Sequence, residues 1–244
     1  MQCKTLLSAA HALGAVLFPS DCLLCTTPLP RPLQSPICLH CLDRLPRITE
    51  PFCPRCGVPY SPFVAPGVCG PCRDGGRAFR QARAGFVYED DVRLAVHELK
   101  FRGRERIAHV LGTLAAALWL RPGKLEGYAA VVPVPLSPKR RRERGFDQAE
   151  LIARAVAKHA AIPLRRRLLV KKKDCPPQTG LSASARRKNV ASVYRASVPR
   201  SLRGRDVLLV DDVLTTGATV EAAARALRRG GCGGVDVLTL ARVP

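Results

Sequence analysis

Two patterns in this 244-residue chain bring together residue types that do chemistry. The first is VLLVDDVLTTGAT, Val207 to Thr219, where an apolar run ends in two adjacent carboxylates and passes into a small, hydroxyl-rich turn. The run predicts a buried strand over 207–210 with Asp211 and Asp212 directly after it. Thr215, Thr216, Gly217, Ala218 and Thr219 then predict a turn into a helix. Gly217 lets the backbone approach a ligand, the helix N-terminus aims unpaired N–H groups at an anion, and the threonine hydroxyls add donors. Adjacent carboxylates repel, so they need hydroxyl donors or a divalent cation beside them. An anion in the turn and hydroxyls with Mg²⁺ near the acids describe a phosphorylated sugar.

The second pattern is in the cysteines. Eight of the eleven form four Cys-x-x-Cys pairs, Cys22/Cys25, Cys38/Cys41, Cys53/Cys56 and Cys69/Cys72. The unit Cys-x2-Cys-x12-Cys-x2-Cys occurs twice, displaced by 31 residues at all four positions. Two such knuckles supply four thiolates to tetrahedral zinc, and an all-cysteine set leaves no open position for catalysis. The surrounding segment is rich in proline and short of long apolar runs, so metal binding has to supply folding energy. The repeat favours Cys22, Cys25, Cys38, Cys41 on one structural ion and Cys53, Cys56, Cys69, Cys72 on another; an interleaved pairing of knuckles stays open. Disulfides are the alternative, and a cytoplasmic chain would keep these thiols reduced. Cys3, Cys175 and Cys232 fit neither set and read as ordinary thiols.

The elements that must position these groups follow from apolar periodicity. AGFVYED reads as a short strand, and Val92, Ala95, Val96 and Leu99 form one face of a helix. Leu111, Leu114, Ala115 and Leu118 form the face of a second helix, and AAVVPVP, 129–135, is a buried strand. A basic loop, SPKRRRERGF, leads to a helix with Asp147 and Glu150 at capping-box spacing and Ala149, Ile152, Val156 and Ala160 on its apolar face. Residues 165–200 have no clear period and read as a mobile, functional loop. VEAAARALRR gives another helix and VDVLTLARV a last strand. Apolar strands alternating with helices imply an α/β fold, a parallel sheet covered on both faces.

Hydrophobic residues make up 47% of the chain, enough for a core, and no run reaches the length of a membrane span. Leu6, Ala10, Leu13 and Leu17 predict an amphipathic helix over 1–18 that docks on the protein, and the chain reads as cytoplasmic. Forty Lys and Arg against 19 acids leave a net charge of +21. That excess points to polyanionic partners, with arginine-rich codon usage as the competing explanation.

The stretch 207–219 resembles the 5-phosphoribosyl diphosphate (PRPP) motif of type I phosphoribosyltransferases, a hydrophobic strand followed by two acids and a TGxT loop. VVPVPLSPKRRRERGFDQAELIA and QTGLSASARRKNV resemble segments of the ComF family, competence-associated proteins that carry a Cys-knuckle region ahead of a transferase-like domain. Asp147 stands where the RGFNQ form has Asn. The resemblance implies three parts: the helix over 1–18, a double zinc ribbon over 19–78, and a type I phosphoribosyltransferase-like domain over 79–244. It implies that Asp211 and Asp212 bind the ribose hydroxyls and that residues 215–219 bind the 5-phosphate. The loop with Leu136, Ser137, Lys139, Arg144 and Gly145 corresponds to the pyrophosphate loop, with Arg144 ranked first among its arginines. Gln178, Leu181, Arg186 and Asn189 correspond to a segment covering PRPP, preceded by Lys171, Lys172 and Lys173. Lys100, in HELKFRGR, matches a family-like segment without an assigned role.

Two functions follow from this reading. One is an enzyme that transfers a phosphoribosyl group from PRPP with Mg²⁺; no acceptor site or general base is legible. The other is a module that binds single-stranded DNA through its basic loops during natural transformation, its transferase pocket serving as a sensor or relic. A third reading makes the zinc ribbons a docking surface for a partner such as a helicase-like competence protein.

Overall fold

The structure, a computed structural model, describes residues 21–29, 35–123, 125–171 and 193–244. The expectations placed on residues 1–18, on Cys3, Lys172, Lys173 and Cys175, and on Gln178, Leu181, Arg186 and Asn189 lie outside the described residues.

Four parallel strands form the main sheet: β1 (Ala82–Val87), β2 (Ala130–Pro133), β5 (Val207–Leu214) and β6 (Val235–Arg242), in the order β1-β6-β5-β2. Between β1 and β2 run helices α3 (Asp90–Arg102) and α4 (Arg106–Trp119). After β2 come α5 (Pro138–Arg144) and α6 (Gln148–Ala160), and α7 (Ala218–Arg229) joins β5 to β6. Alternating strand residues point to opposite faces, which explains the unbroken apolar runs. Val131, Leu208, Val210, Leu238 and Leu240 pack with α3, α4 and α6. Ala130, Val132, Val207, Leu209, Val235 and Val237 pack on the other face with α7. No helix among the described residues is long and apolar enough to cross a membrane.

The expected apolar face of α3 is fully buried, whereas α4 is turned relative to expectation. Leu114 and Leu118 are only partly covered, while Ile107, Ala108, Leu111, Gly112, Ala115, Ala116 and Trp119 form the buried face. The rotation follows from close packing on α6, where a Cβ added at Gly112 would lie 3.1 Å from that of Ala155. The stretch expected to be a basic loop contains a helix, α5. Ser137 caps it by accepting from the Arg140 N–H, Pro138 sits in its first turn, and Gly145 ends it at φ +76°. The segment expected to be a loop over 165–200 contains, where described, an antiparallel pair, β3 (Leu169–Lys171) and β4 (Tyr194–Ala196). Buried Leu168, Leu169 and Tyr194 hold this pair in the core beside α7.

The cysteine repeat persists in the backbone. Cys22 N–H donates to Thr27 and Cys53 N–H to Val58, while Asp21–Pro28 and Phe52–Pro59 form matching antiparallel bridges. Two short helices, α1 (Leu39–Arg44) and α2 (Gly70–Arg73), begin at equivalent positions after Cys38 and Cys69. The first knuckle turn of each set passes through a left-handed residue, Thr26 at φ +57° and Gly57 at φ +67°.

Candidate functional site

Strand β5 continues through the acids to Leu214, four residues beyond the expected end. The neighbouring strand sustains it: Asp211 pairs with Thr239, Val213 with Ala241 and Leu214 with Arg242. Asp211 and Asp212 therefore lie within a strand, and the pleat separates their side chains.

Asp212 is buried and fully engaged. Its Oδ2 accepts from Gln148 Nε2 at 2.9 Å and lies 3.1 Å from Lys100 Nζ, while Oδ1 accepts from the Val213 N–H at 2.6 Å. Lys100 comes from the last turn of α3 and Gln148 from the first turn of α6, so two helices converge on one carboxylate. The question of what compensates the paired acids thus has an answer inside the chain itself. Lys100, whose role the sequence left open, provides the cation.

Asp211 is half-buried. Its Oδ1 accepts from the Asp212 N–H at 2.9 Å, and its second oxygen has no partner among the described residues. Burial, reinforced by the neighbouring Asp212 charge, pushes its carboxyl well above the usual carboxylate range, against the pull of Lys100.

The anion turn follows directly. Gly217 caps α7 at φ +84°, and Ala218 and Thr219 form the first turn of that helix. Arg242 pins the start of the turn, its NH1 donating to the carbonyls of Leu214, Thr215 and Val243. The side chains of Thr215, Thr216 and Thr219 are exposed, leaving their hydroxyls accessible to a ligand.

On the other side of the acids, the expected pyrophosphate-loop residues divide by role. Ser137 is fully buried and its hydroxyl is committed to capping α5, and Gly145 closes the same helix. Lys139 is exposed and lies 4.0 Å from Glu143. Arg144 reaches the site: its NH1 donates to Gln148 Oε1 at 3.0 Å, so a chain of contacts runs from Arg144 through Gln148 to Asp212. Asp147 is buried and accepts three backbone N–H groups, those of Ala149 and Glu150 on Oδ1 and that of Leu136 on Oδ2 at 3.0 Å. It thereby caps α6 and ties down the loop after β2. Burial raises its pKa, against the lowering effect of these donors. A cleft of about 740 Å³ adjoins Lys100 and is lined by Phe101, Arg102, Arg140, Arg144 and Phe146.

Sequence reasoning did not select Gln148 or Arg242. Gln148 follows Arg144 by one helical turn in spacing, a usable signal, whereas Arg242 acts on carbonyls that only the β5–β6 register brings near it.

The cysteines resolve into two sets, Cys22, Cys25, Cys38, Cys41 and Cys53, Cys56, Cys69, Cys72, with the sulfurs of each set within 4.8 Å of one another. The pairing is therefore sequential, and the interleaved arrangement is excluded. Tetrahedral zinc with bonds of about 2.3 Å sets its sulfurs about 3.8 Å apart. Cys25 and Cys38 stand at 3.7 Å and Cys56 and Cys69 at 3.6 Å, so both sets fit the ion. Equivalent N–H groups support each set, Cys38 N to Cys22 Sγ at 3.3 Å and Cys69 N to Cys53 Sγ at 3.4 Å. Burial opposes thiolate formation at Cys53, but donors from Cys69, Cys56 and Arg55 outweigh it and bring the pKa down to about 6. Burial, with the neighbouring thiols, drives Cys69 up to about 12. Crowded thiols that separate in this way describe a site that a dication would neutralise.

Comparison with known proteins agrees with both parts. Residues 13–73 match the double zinc ribbon domain and residues 147–244 the phosphoribosyl transferase domain. The chain is 31% identical over 227 residues to the DNA utilization protein YhgH of Escherichia coli O157:H7, covering 92% of this chain and 97% of that one. It is 31% identical to the competence protein ComFC of Bacillus subtilis, covering 84% of each. Among solved structures, the glutamine PRPP amidotransferase of B. subtilis overlaps with a TM-score of 0.41 at 21% identity, over 59% of this chain and 30% of that one, too loosely to bear on the site. With its two four-cysteine sets, parallel sheet and acid-pair turn in place, the chain belongs to the ComF family of competence-associated, phosphoribosyltransferase-like proteins.

Proposed function

We propose that this chain binds PRPP with Mg²⁺ at the carboxyl end of β5 and uses that site in handling DNA. The observation that carries the reading is the division of labour between the two acids. Asp212 is satisfied by Lys100, Gln148 and backbone, whereas Asp211 keeps an oxygen that has no partner among the described residues, beside an anion-binding turn. Ribose hydroxyls and a hard cation suit that oxygen, and a phosphate suits the N–H groups of residues 217–219. Asp211 is the residue to hold Mg²⁺, and the ion would supply charge neutralisation for the diphosphate.

The chain's own residues define the remainder. Arg144 and the cations lining the cleft offer donors to a departing pyrophosphate, where developing charge is stabilised by fixed positive groups. Asp147 fixes the loop after β2, and Arg242 fixes the phosphate turn, so ligand groups meet donors already in place. Calorimetric titration of the zinc-loaded chain with PRPP in Mg²⁺ tests the reading. Saturable binding that is lost in Asp211→Ala is expected; no binding by the wild type overturns it.

A second reading has its own observation. Phe101, 62% exposed, lies 5.1 Å from the Arg144 guanidinium in the basic cleft. Aromatic and cationic groups side by side suit single-stranded DNA, whose bases stack while its phosphates meet arginine. Binding to an oligonucleotide that weakens in Phe101→Ala and at higher salt is expected, with docking of a helicase-like competence protein on the ribbons as a further proposal for the same pathway.

A further inference from the structure

The second cysteine set is joined to β1 by residues 73–81, and this linker crosses the N-terminal end of α7. The Ala78 N–H donates to both carboxylate oxygens of Glu221, at 3.0 and 2.9 Å, and Glu221 stands in the first turn of α7. Phe79 is fully buried in the core that contains Cys53, Cys56, Cys72 and Val220. Between these two anchors and the cysteines lies Arg77. Its guanidinium stands 5.8 Å from the Phe79 ring centroid and next to the Cys72 thiol. A Cβ built on Gly217, the residue that opens the phosphate turn, would lie 3.5 Å from Arg77 NH1. The Nε of Arg77 is buried and has no hydrogen-bond partner among the described residues.

We propose that the phosphate site is composite: residues 215–219 supply backbone and hydroxyl donors, and Arg77, delivered by the second zinc ribbon, supplies the cation for a phosphate monoester. The proposal deepens the phosphoribosyl reading above and rests on it. A helix N-terminus offers about half a positive charge, short of what a dianionic phosphate needs, and a guanidinium adds a full charge with several donors. The other arginine at the turn, Arg242, is committed to the carbonyls of Leu214, Thr215 and Val243. Arg77 is five residues from the zinc ligand Cys72, so the metal that orders this ribbon also sets where the guanidinium stands. The state of the second ribbon thereby controls phosphate affinity at a site on the transferase-like sheet.

The test uses the zinc-loaded full chain and two probes, ribose 5-phosphate and inorganic pyrophosphate, titrated separately by calorimetry. Arg77→Gln is expected to weaken ribose 5-phosphate about tenfold or more, the size of one charge-assisted contact, with pyrophosphate affinity unchanged. Arg77→Lys recovers part of the loss. Cys69→Ser in the second ribbon is expected to weaken ribose 5-phosphate more than pyrophosphate, whereas Cys25→Ser in the first is expected to weaken the two probes alike. If wild type binds ribose 5-phosphate and Arg77→Gln binds it equally well, the composite site is overturned while the phosphoribosyl reading stands. Equal loss of both probes in Arg77→Gln makes the arginine a general structural group and also overturns the proposal. A wild type that binds no ribose 5-phosphate overturns the phosphoribosyl reading, and this assignment with it.

Discussion

Replacing Lys100 by Met keeps the length of the side chain and removes the cation that faces Asp212. At 3.1 Å, with an effective dielectric near 20, the gross attraction is about 5 kcal/mol, most of which offsets desolvation of two largely covered groups. Taking away one partner of such a pair leaves an uncompensated charge and typically costs about 3–5 kcal/mol. Gln148 Nε2 and the Val213 N–H still donate to Asp212, so the lower end, about 3 kcal/mol, is the expected loss. For a chain of this size that corresponds to a fall of roughly 6–12 °C in thermal midpoint. Adding Asp212→Asn removes the orphaned charge and should recover more than half of the deficit, a coupling that a double-mutant cycle by urea denaturation measures directly. The sign with pH follows from Asp211, which burial and Asp212 hold above the ordinary carboxylate range. A group whose folded pKa is raised adds stability below its unfolded pKa and loses it as pH rises through the folded value. Without Lys100 that pKa rises further, so the deficit of Lys100→Met should be smaller at pH 5 than at pH 8. A variant within about 0.5 kcal/mol of wild type, or a deficit unchanged in the Asp212→Asn background, would refute the view that Lys100 makes the acid pair tolerable.

Three further outcomes are expected. Asp211→Asn should stabilise the ligand-free chain at neutral pH, because it deletes a carboxylate whose raised pKa costs stability there, while PRPP binding is lost; thermal melts across pH and calorimetry read the two effects. Asp147→Asn leaves one oxygen for three N–H donors and presents an amide donor to a donor, so a loss of about 1–2 kcal/mol and weaker pyrophosphate binding are expected by urea denaturation and titration. Native mass spectrometry should find two zinc ions per chain, and a chelator should abolish the cooperative melt, since cysteines of both sets are buried in the two cores; a single ion would contradict the sequential pairing.

What could be read from the sequence was whatever has a local cause. The 31-residue cysteine repeat, the apolar strands and the turn at Gly217 follow from spacing, continuous apolar runs and a required left-handed backbone. Helix α5 was legible in principle, since Ser137, Pro138 and Gly145 mark its ends, but its run of arginines has no apolar face to give a period. The continuation of β5 to Leu214 was not legible, because hydrogen bonds with β6, 28 residues away, outweigh the poor strand propensity of two aspartates. Lys100 and Arg77 were hidden for the same reason. Nothing in HELKFRGR shows that its lysine meets a carboxylate 112 positions later, and nothing around Arg77 shows that the turn at Gly217 is its neighbour.

The ribbons and the transferase-like domain are held together along one edge of the sheet. β1 is an edge strand of the sheet, and an unpaired edge invites association with other chains. Here the ribbon segment closes it: Ile48 N–H donates to Gly85, Val87 N–H to Pro46, and Ala82 N–H to Arg55, with an antiparallel bridge between Arg47 and Phe86. The contact is intimate, since a Cβ on Gly57 would come within 2.7 Å of the Ala82 carbonyl oxygen. Each cysteine set also joins a different core. Cys22 and Cys41 pack with α3 and α4, whereas Cys53, Cys56 and Cys72 pack with the face that carries α7. A single ribbon would cover only one face of the sheet; the duplication places a metal-ordered knuckle on both. The zinc sets are therefore part of what builds the sheet that carries Asp211 and the phosphate turn, which is why metal content and ligand affinity should change together in this chain.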